Sequence, residues 1–203
     1  MILNEKVIRI QKLMLIEDNY IQDLGIFKKF DINKFHSFPP PSDNSEKTKN
    51  ELKFLATIDL NKRFVQEKDD IMGSFSEFLD KHKIKYPKEK LKSIHFDASK
   101  VVRELKMFFK RPRPFRLDKK FNDKMLESMS GFAYPSGHST QSHLLCNILS
   151  YLYPKYKNDF NKITKDIVYS RQMAKAHYPS DIRFGKKLSD EMFEYLKDND
   201  LIP

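Results

Sequence analysis

The chain has 203 residues, of which 39% are hydrophobic and 33% are charged, a length and balance that predict one soluble globular domain and exclude a disordered chain. A single cysteine excludes an intrachain disulfide bond, and no apolar run approaches the ~20 residues that a membrane-spanning helix needs. The formal charge of +10 favours anionic partners, such as phosphate esters, nucleic acid or an acidic surface.

The first 37 residues are predicted to form an N-terminal appendage, with a weak helical pattern over 4–15. They lack the uninterrupted apolar stretch and the small-residue cleavage site of a signal peptide. Together with the missing disulfides, this favours a cytoplasmic location, whereas a signal removed ahead of the numbering would make the location periplasmic. Three successive prolines predict an extended loop over 38–50.

Residues 51–200 are predicted to form the helical core, because apolar side chains recur there at helical spacing and strand patterns are nearly absent. Asp69 or Asp70 would cap a helix within 69–82, and Pro87 suits the first turn of the next helix. The pattern predicts helices within 46–66 and 69–82, and then over about 87–110, 121–129, 138–153, 158–176 and 181–197. The fold class predicted for 1–203 is therefore all-α, a single-domain helical bundle.

The segment "LKMFFKRPRPF" places Lys106 and Arg113 seven residues apart, with prolines that should end the helix near residue 111. Arg113 can then fold back over the helix end toward Lys106, and two cations fixed there suit a phosphate. A basic helix end that complements the macrodipole is the ordinary alternative. Lys110 and Arg111 are candidates for the same role, but the sequence offers them no matching partner.

The segment "FAYPSGHST" predicts a tight turn that opens a helix at Ser136 and Gly137. Free backbone N–H groups and the positive end of the helix dipole make such a turn suitable for an anion. His138 lies in the first turn, within reach of a bound anion. An ordinary helix cap beside a surface histidine is the alternative.

The segment "YSRQMAKAHYPSD" places Arg171 near the end of one helix, His177 after it, and Asp181 close to the start of the next helix. A carboxylate four residues beyond a histidine can accept its Nδ1–H, which fixes the tautomer and leaves Nε2 free as a nucleophile. A purely structural His–Asp pair is the alternative.

These three segments together resemble the motifs of the type 2 phosphatidic acid phosphatase superfamily, which includes acid phosphatases, lipid phosphatases and vanadium haloperoxidases. The order is Lys-x6-Arg-Pro, then Pro-Ser-Gly-His, then Ser-Arg-x5-His-x3-Asp. Over about residues 35–190 the chain looks most similar to the class A bacterial non-specific acid phosphatases, which are small, helical and carry a proline-rich segment. The absent signal peptide, the unpaired cysteine and the charged N-terminal stretch depart from that group and bear on location rather than chemistry.

The resemblance implies a metal-independent phosphomonoester hydrolase with a phosphohistidine intermediate, an acidic optimum, inhibition by vanadate and no cofactor. His177 would be the nucleophile, His138 the general acid and then base, and Asp181 the group that orients His177. The phosphate-binding groups would be Lys106, Arg113, Ser136, Gly137 and Arg171. The substrate would be a small phosphorylated molecule, and a homodimer is compatible with the resemblance.

Three alternatives remain open at this point. A vanadium-dependent haloperoxidase would use vanadate as cofactor in the same pocket, although its known members are generally much longer. A lipid phosphatase would contact the membrane peripherally. A non-catalytic nucleic-acid-binding protein would use the positive charge and the aromatic residues Phe108, Phe109 and Phe115, but it would leave the histidines unexplained, so no stable nucleic-acid partner is expected.

Overall fold

The computed structural model describes residues 23–121 and 129–202. The weak helix predicted over 4–15 lies outside the described residues, and so does most of the helix predicted over 121–129. Within the described part no β-strand occurs, which confirms the all-α fold class.

The α-helices of the described residues follow one another along the chain with short connections. They are α1 (Glu46–Ala56), α2 (Lys62–Glu67), α3 (Ile71–Lys81), α4 (Lys88–Phe109), α5 (Pro114–Leu117), α6 (Gly137–Leu152), α7 (Lys157–Met173) and α8 (Pro179–Asp198). Short 3₁₀ segments occur at Gly25–Phe27, Asn33–Ser37 and Pro154–Tyr156. The predicted region 46–66 is divided into two helices, because Asn61 starts a new helix by accepting a hydrogen bond from the Phe64 N–H at 3.0 Å.

The start of α3 settles which of two adjacent aspartates caps the helix. The side chain of Asp70 accepts a hydrogen bond from the Gly73 N–H at 2.8 Å and is the N-cap. Asp69 therefore has no part in the cap, and its carboxylate is directed to the site described below. Pro87 is itself the N-cap position of α4, one residue earlier than predicted.

The end of α4 fixes the path of the arginine-proline segment. Lys110 adopts the left-handed conformation, with φ of 50°, and its N–H bonds the Lys106 carbonyl at 2.9 Å. Pro112 follows, and Pro114 opens the short helix α5. Arg111 and Arg113 therefore lie in an extended connection between α4 and α5.

Helix α6 is central to the described fold and packs against α8, α7 and α4. Gly185 allows α8 to approach α6 closely, since a Cβ atom there would lie 2.8 Å from the Ser136 carbonyl oxygen. The Ser136 N–H donates to the Asp181 carbonyl at 3.1 Å, and Ser139 Oγ donates to the Ile182 carbonyl at 2.8 Å. These contacts bring the N-termini of α6 and α8 together. None of the helices in the described ranges has both the length and the apolar character that crossing a bilayer requires.

Candidate active site

A cavity of about 240 Å³ lies between α4, the start of α6 and the turn that precedes α8. It brings together side chains from all three sequence motifs. The lining residues are Ser99, Val102, Arg103, Lys106, Arg113, Gly137, His138, Gln141 and His177. Lys106 and Arg113 supply positive charge, and the two imidazoles complete a cavity suited to an anion.

His177 is buried at the base of this group, with 3% of its surface exposed. Its Nε2 atom lies 3.3 Å from the Arg113 guanidinium. Because a guanidinium can only donate, Nε2 must be the acceptor, and the imidazole carries its proton on Nδ1. Burial lowers the pKa of His177 well below its usual value, and the nearby cations Arg113 and Lys106 lower it further. A neutral imidazole with a free lone pair on Nε2 is the form that can act as a nucleophile.

Asp181 faces the opposite nitrogen of the same imidazole, with Oδ2 at 3.5 Å from His177 Nδ1. Oδ2 also accepts the Tyr178 N–H at 2.9 Å, and Oδ1 accepts from Arg111 at 2.6 Å. Asp181 is fully buried, and burial raises its pKa to about 6, while Arg111 acts in the opposite direction. The carboxylate is thus held on both oxygens next to the histidine.

Lys106 and Arg113 are fixed by main-chain carbonyl groups. Lys106 Nζ donates to the Phe132 carbonyl, and Arg113 donates to the carbonyls of Gly131 at 2.9 Å and Ala176 at 3.0 Å. Burial lowers the pKa of Lys106 well below its usual value, with Arg113 adding to the effect, and burial lowers the pKa of Arg113 to about 10. An anion in the cavity would offset both effects.

His138 contacts a residue that no motif predicted. Its Nε2 atom lies 3.0 Å from Asp69 Oδ1 and 3.1 Å from the Asp69 carbonyl, so Nε2 carries a proton that it donates to Asp69. Burial lowers the pKa of His138, whereas the hydrogen bond to Asp69 raises it and Arg171 lowers it. Asp69 Oδ1 also accepts from Arg171 at 2.6 Å. One carboxylate therefore joins two of the predicted site residues.

Residues 97–188 match the sequence model of the PAP2 superfamily. The match includes all three motifs and supports placing the chain in that superfamily, and with it a phosphatase-type hydrolytic activity in general. No curated protein matches the chain. Asp69 lies ahead of the matched PAP2 segment, so the motif pattern could not have revealed it.

Two of the predicted phosphate ligands of the PAP2 segment are not among the residues that line the cavity. Ser136 is fully buried, and its Oγ accepts the Ser139 N–H at 3.3 Å as the N-cap of α6. Arg171 lies behind His138, with its guanidinium 3.4 Å from Nε2, and is held by Asp69 and by the Val65 carbonyl at 2.8 Å. A substrate phosphate would meet the Arg171 guanidinium next to His138 and Asp69.

Arg111 differs from its sequence interpretation. The hypothesis that it lacks a matching partner was wrong, because it forms ion pairs with Asp181 at 2.6 Å and with Glu51 at 3.5 Å. Since its guanidinium is committed to these two carboxylates, it is not an alternative phosphate ligand. Both carboxylates come from elements that are distant from Arg111 in the sequence.

The other histidine of α6 lies outside this group. His143 Nδ1 lies 2.7 Å from the Ser139 carbonyl, one helical turn back, which fits a structural role. No cluster of three or more His, Cys, Asp or Glu side chains with a metal-binding arrangement occurs in 23–121 and 129–202.

Proposed function

We propose that the chain is a metal-independent phosphomonoester hydrolase of the acid phosphatase type, which works through a phosphohistidine on His177. The observation that carries this proposal is the position of His177: its Nε2 faces a cavity lined by Lys106 and Arg113, and its Nδ1 faces Asp181. This arrangement combines an activated nucleophile with fixed positive charge for the phosphoryl oxygens.

The phosphoryl oxygens would bind to the cations and to a main-chain donor. Lys106 and Arg113 approach from the end of α4, the Gly137 N–H from the first turn of α6, and Arg171 from beside His138. Charge spreads over these oxygens in the transition state, so fixed donors lower the barrier without reorganisation. Ser136 contributes by fixing the start of α6.

In the first chemical step, the Nε2 lone pair of His177 forms a bond to phosphorus while the bond to the leaving oxygen breaks. His138 gives its proton to that oxygen. With Nε2 donating to Asp69, Nδ1 is the nitrogen of His138 that serves the leaving group. Asp181 accepts a hydrogen bond from His177 Nδ1–H and stabilises the positive charge that develops on the ring.

In the second step, His138 takes a proton from water, the water oxygen bonds to phosphorus, and the nitrogen–phosphorus bond of His177 breaks. Inorganic phosphate leaves, and both histidines return to their starting states. Because His177 must be neutral and His138 protonated at the start, the rate should follow a bell-shaped pH profile on the acid side of neutral.

The test is a panel of phosphomonoesters, nucleotides, diphosphates and phosphatidic acid vesicles, assayed with a chelator present. We expect phosphate release from monoesters, inhibition by vanadate, and an acid-labile phosphoenzyme that is absent from His177→Ala. His143→Gln is the matched control, because it alters a buried histidine outside the cavity. Full activity of folded His177→Ala would exclude His177 as nucleophile.

Two further assays separate the alternatives. Halide oxidation that requires vanadate and hydrogen peroxide, without phosphate release, would favour the haloperoxidase function. Binding of nucleic acid that weakens steeply with salt, again without phosphate release, would favour the non-catalytic function. Neither outcome is expected.

A further inference from the structure

Arg111 is an almost fully buried arginine, with 2% of its surface exposed, that the phosphatase mechanism above does not use. Its Nη1 atom donates to Asp181 Oδ1 at 2.6 Å and to Ser180 Oγ at 2.7 Å. Its guanidinium also lies over the Tyr178 ring, 3.8 Å from the ring centroid. Arg111 therefore contacts the carboxylate beside His177 and the residue that follows His177 in the chain.

The contact with Arg111 determines which oxygen of Asp181 faces the histidine. Arg111 occupies Oδ1, and the Tyr178 N–H bonds Oδ2 at 2.9 Å. Held at both oxygens, the carboxylate cannot rotate, and Oδ2 remains directed at His177 Nδ1 at 3.5 Å. Removing Arg111 would free one oxygen and leave only the backbone contact.

The charge of Asp181 also depends on Arg111. Full burial favours the neutral carboxyl and raises its pKa to about 6, and among the groups that oppose this effect Arg111 comes first. Lys106 has a smaller influence in the same direction. The charged and titratable groups that face Asp181 are Lys106, Arg111, Arg113, Tyr134, His177 and Tyr178, with Glu51 on the other side of Arg111.

Helix α1 holds the second amino group of Arg111. Thr48 Oγ1 accepts from Nη2 at 3.1 Å, and Glu51 Oε2 lies 3.5 Å from the same nitrogen. Glu51 also accepts from the Ser180 N–H at 2.8 Å, so it binds the start of α8 directly. The guanidinium is thus fixed between α1 and α8 by buried partners, in the absence of any substrate.

We propose that Arg111 is a positioning residue for phosphoryl transfer, which keeps the Asp181 carboxylate ionised and directed at His177, and that Thr48 and Glu51 of α1 hold Arg111 in that place. The proposal rests on the proposed function in that His177 is taken as the nucleophile. The link between Arg111 and Asp181 can nevertheless be measured without turnover.

The experiment follows the Asp181 side-chain carboxyl by ¹³C NMR as a function of pH, with the signal assigned by its absence from Asp181→Asn. Rate profiles are recorded on the same samples. In Arg111→Met we expect the Asp181 titration to move to higher pH by ~1 pH unit or more, because an opposite charge in contact is lost. Since activity needs the ionised carboxylate, the acid limb of the rate profile should move to higher pH with it. We expect kcat to fall and KM to change little.

Arg111→Lys should move both quantities by a smaller amount, since an ammonium keeps the charge but cannot bond Asp181, Ser180 and Thr48 at once. Arg183→Met is the matched control: its side chain is 62% exposed and bonds Glu51 at 3.0 Å, so removing it should leave the Asp181 titration unchanged. Thermal unfolding of each variant reports whether it is folded.

An unchanged Asp181 titration in folded Arg111→Met would overturn the proposal. Should Arg111→Met not fold, an unchanged titration in Arg111→Lys would overturn it in the same way. A wild-type protein that releases no phosphate would instead contradict the proposed function, and the NMR titration would still decide the role of Arg111.

Discussion

The carboxylate of Asp69 lies 3.0 Å from the Nε2 atom of His138, although the two residues are 69 positions apart in the sequence. The same oxygen accepts from Arg171 at 2.6 Å. A carboxylate in this position favours the protonated imidazole and offsets part of the lowering of the His138 pKa that burial causes. Under the proposed function, His138 needs that proton for the leaving group.

Replacing Asp69 with asparagine should therefore narrow the pH range of activity. The amide cannot stabilise the positive charge on His138, so the pKa of His138 falls further. Because activity is lost as pH rises through that pKa, the alkaline limb of the kcat/KM profile should move to lower pH by about 1 unit. Steady-state rates measured from pH 4 to 9 test this expectation.

The adjacent residue provides a matched control. Asp70→Asn removes the same charge one position away, and asparagine is as good a helix cap as aspartate, so α3 should keep its stability. We expect the alkaline limb to stay in place. Equal movement in both variants would show that net charge, rather than contact with His138, sets the limb.

His138→Gln should slow the enzyme according to the leaving group. A general acid matters most when the departing oxygen is strongly basic, so kcat for an alkyl phosphate should fall by ~10²–10⁴-fold. The loss for p-nitrophenyl phosphate should be much smaller, because p-nitrophenolate departs without a proton. His143→Gln is the control on the same helix, and equal losses for the two substrates would contradict the assignment of His138.

Anion binding to the cavity should take up protons. The pKa of Lys106 and that of His177 are both lowered in the empty cavity, by burial first and then by neighbouring positive charge. A bound anion favours the protonated forms, so their pKa values rise on binding and affinity grows as pH falls. Sulfate is a suitable probe because it does not itself titrate in this range.

Calorimetry in two buffers of different ionisation enthalpy gives the number of protons taken up with sulfate. One proton taken up corresponds to a dissociation constant that falls ~10-fold per pH unit. Lys106→Met should reduce the uptake, whereas Lys92→Met, an exposed position on the same helix, should leave it unchanged. Sulfate affinity that does not vary with pH would contradict a cationic phosphate pocket.

The motif residues were accessible to sequence reasoning because each depends on local structure. The proline after Arg113 ends a helix, the Pro-Ser-Gly turn starts one, and the four-residue step from His177 to Asp181 spans a turn. The helix ends at 88–109, 137–152 and 179–198 accordingly lie within two residues of the predicted ends.

Asp69, Thr48 and Glu51 were not accessible in the same way, because their roles come from tertiary packing. Asp69 and Asp70 are equivalent in a capping rule, and only the folded chain shows that Asp70 takes the cap and leaves Asp69 to reach His138. Likewise Arg111 and Arg113 are both arginines before prolines. The path of the chain after Lys110 sends one to buried carboxylates and the other to the cavity.

Ser136→Ala separates two roles for this hydroxyl. Its Oγ accepts the Ser139 N–H, so loss of the cap should lower the free energy of unfolding by ~1 kcal/mol, measured by urea denaturation. Phosphate affinity should fall little if capping is its main role. A large loss of affinity with unchanged stability would instead favour the phosphate-binding role that the sequence predicts.

Gly185→Ala should destabilise the protein, although alanine usually stabilises a helix relative to glycine by ~0.5–1 kcal/mol. A Cβ atom at this position would lie 2.8 Å from the Ser136 carbonyl oxygen and 2.9 Å from Ser139 Cβ, so α8 must move away from α6. Overpacking of this kind costs ~1–3 kcal/mol. Because Asp181 lies one turn earlier on α8, kcat should fall together with stability.

The control for this change is Gly131→Ala, where an added Cβ atom meets no heavy atom within 4 Å and the free energy of unfolding should hardly change. Urea denaturation of both variants measures the difference directly. If Gly185→Ala were as stable as the wild type, α6 and α8 would not be in the close contact that places Asp181 beside His177, and the geometry of the nucleophile would need another explanation.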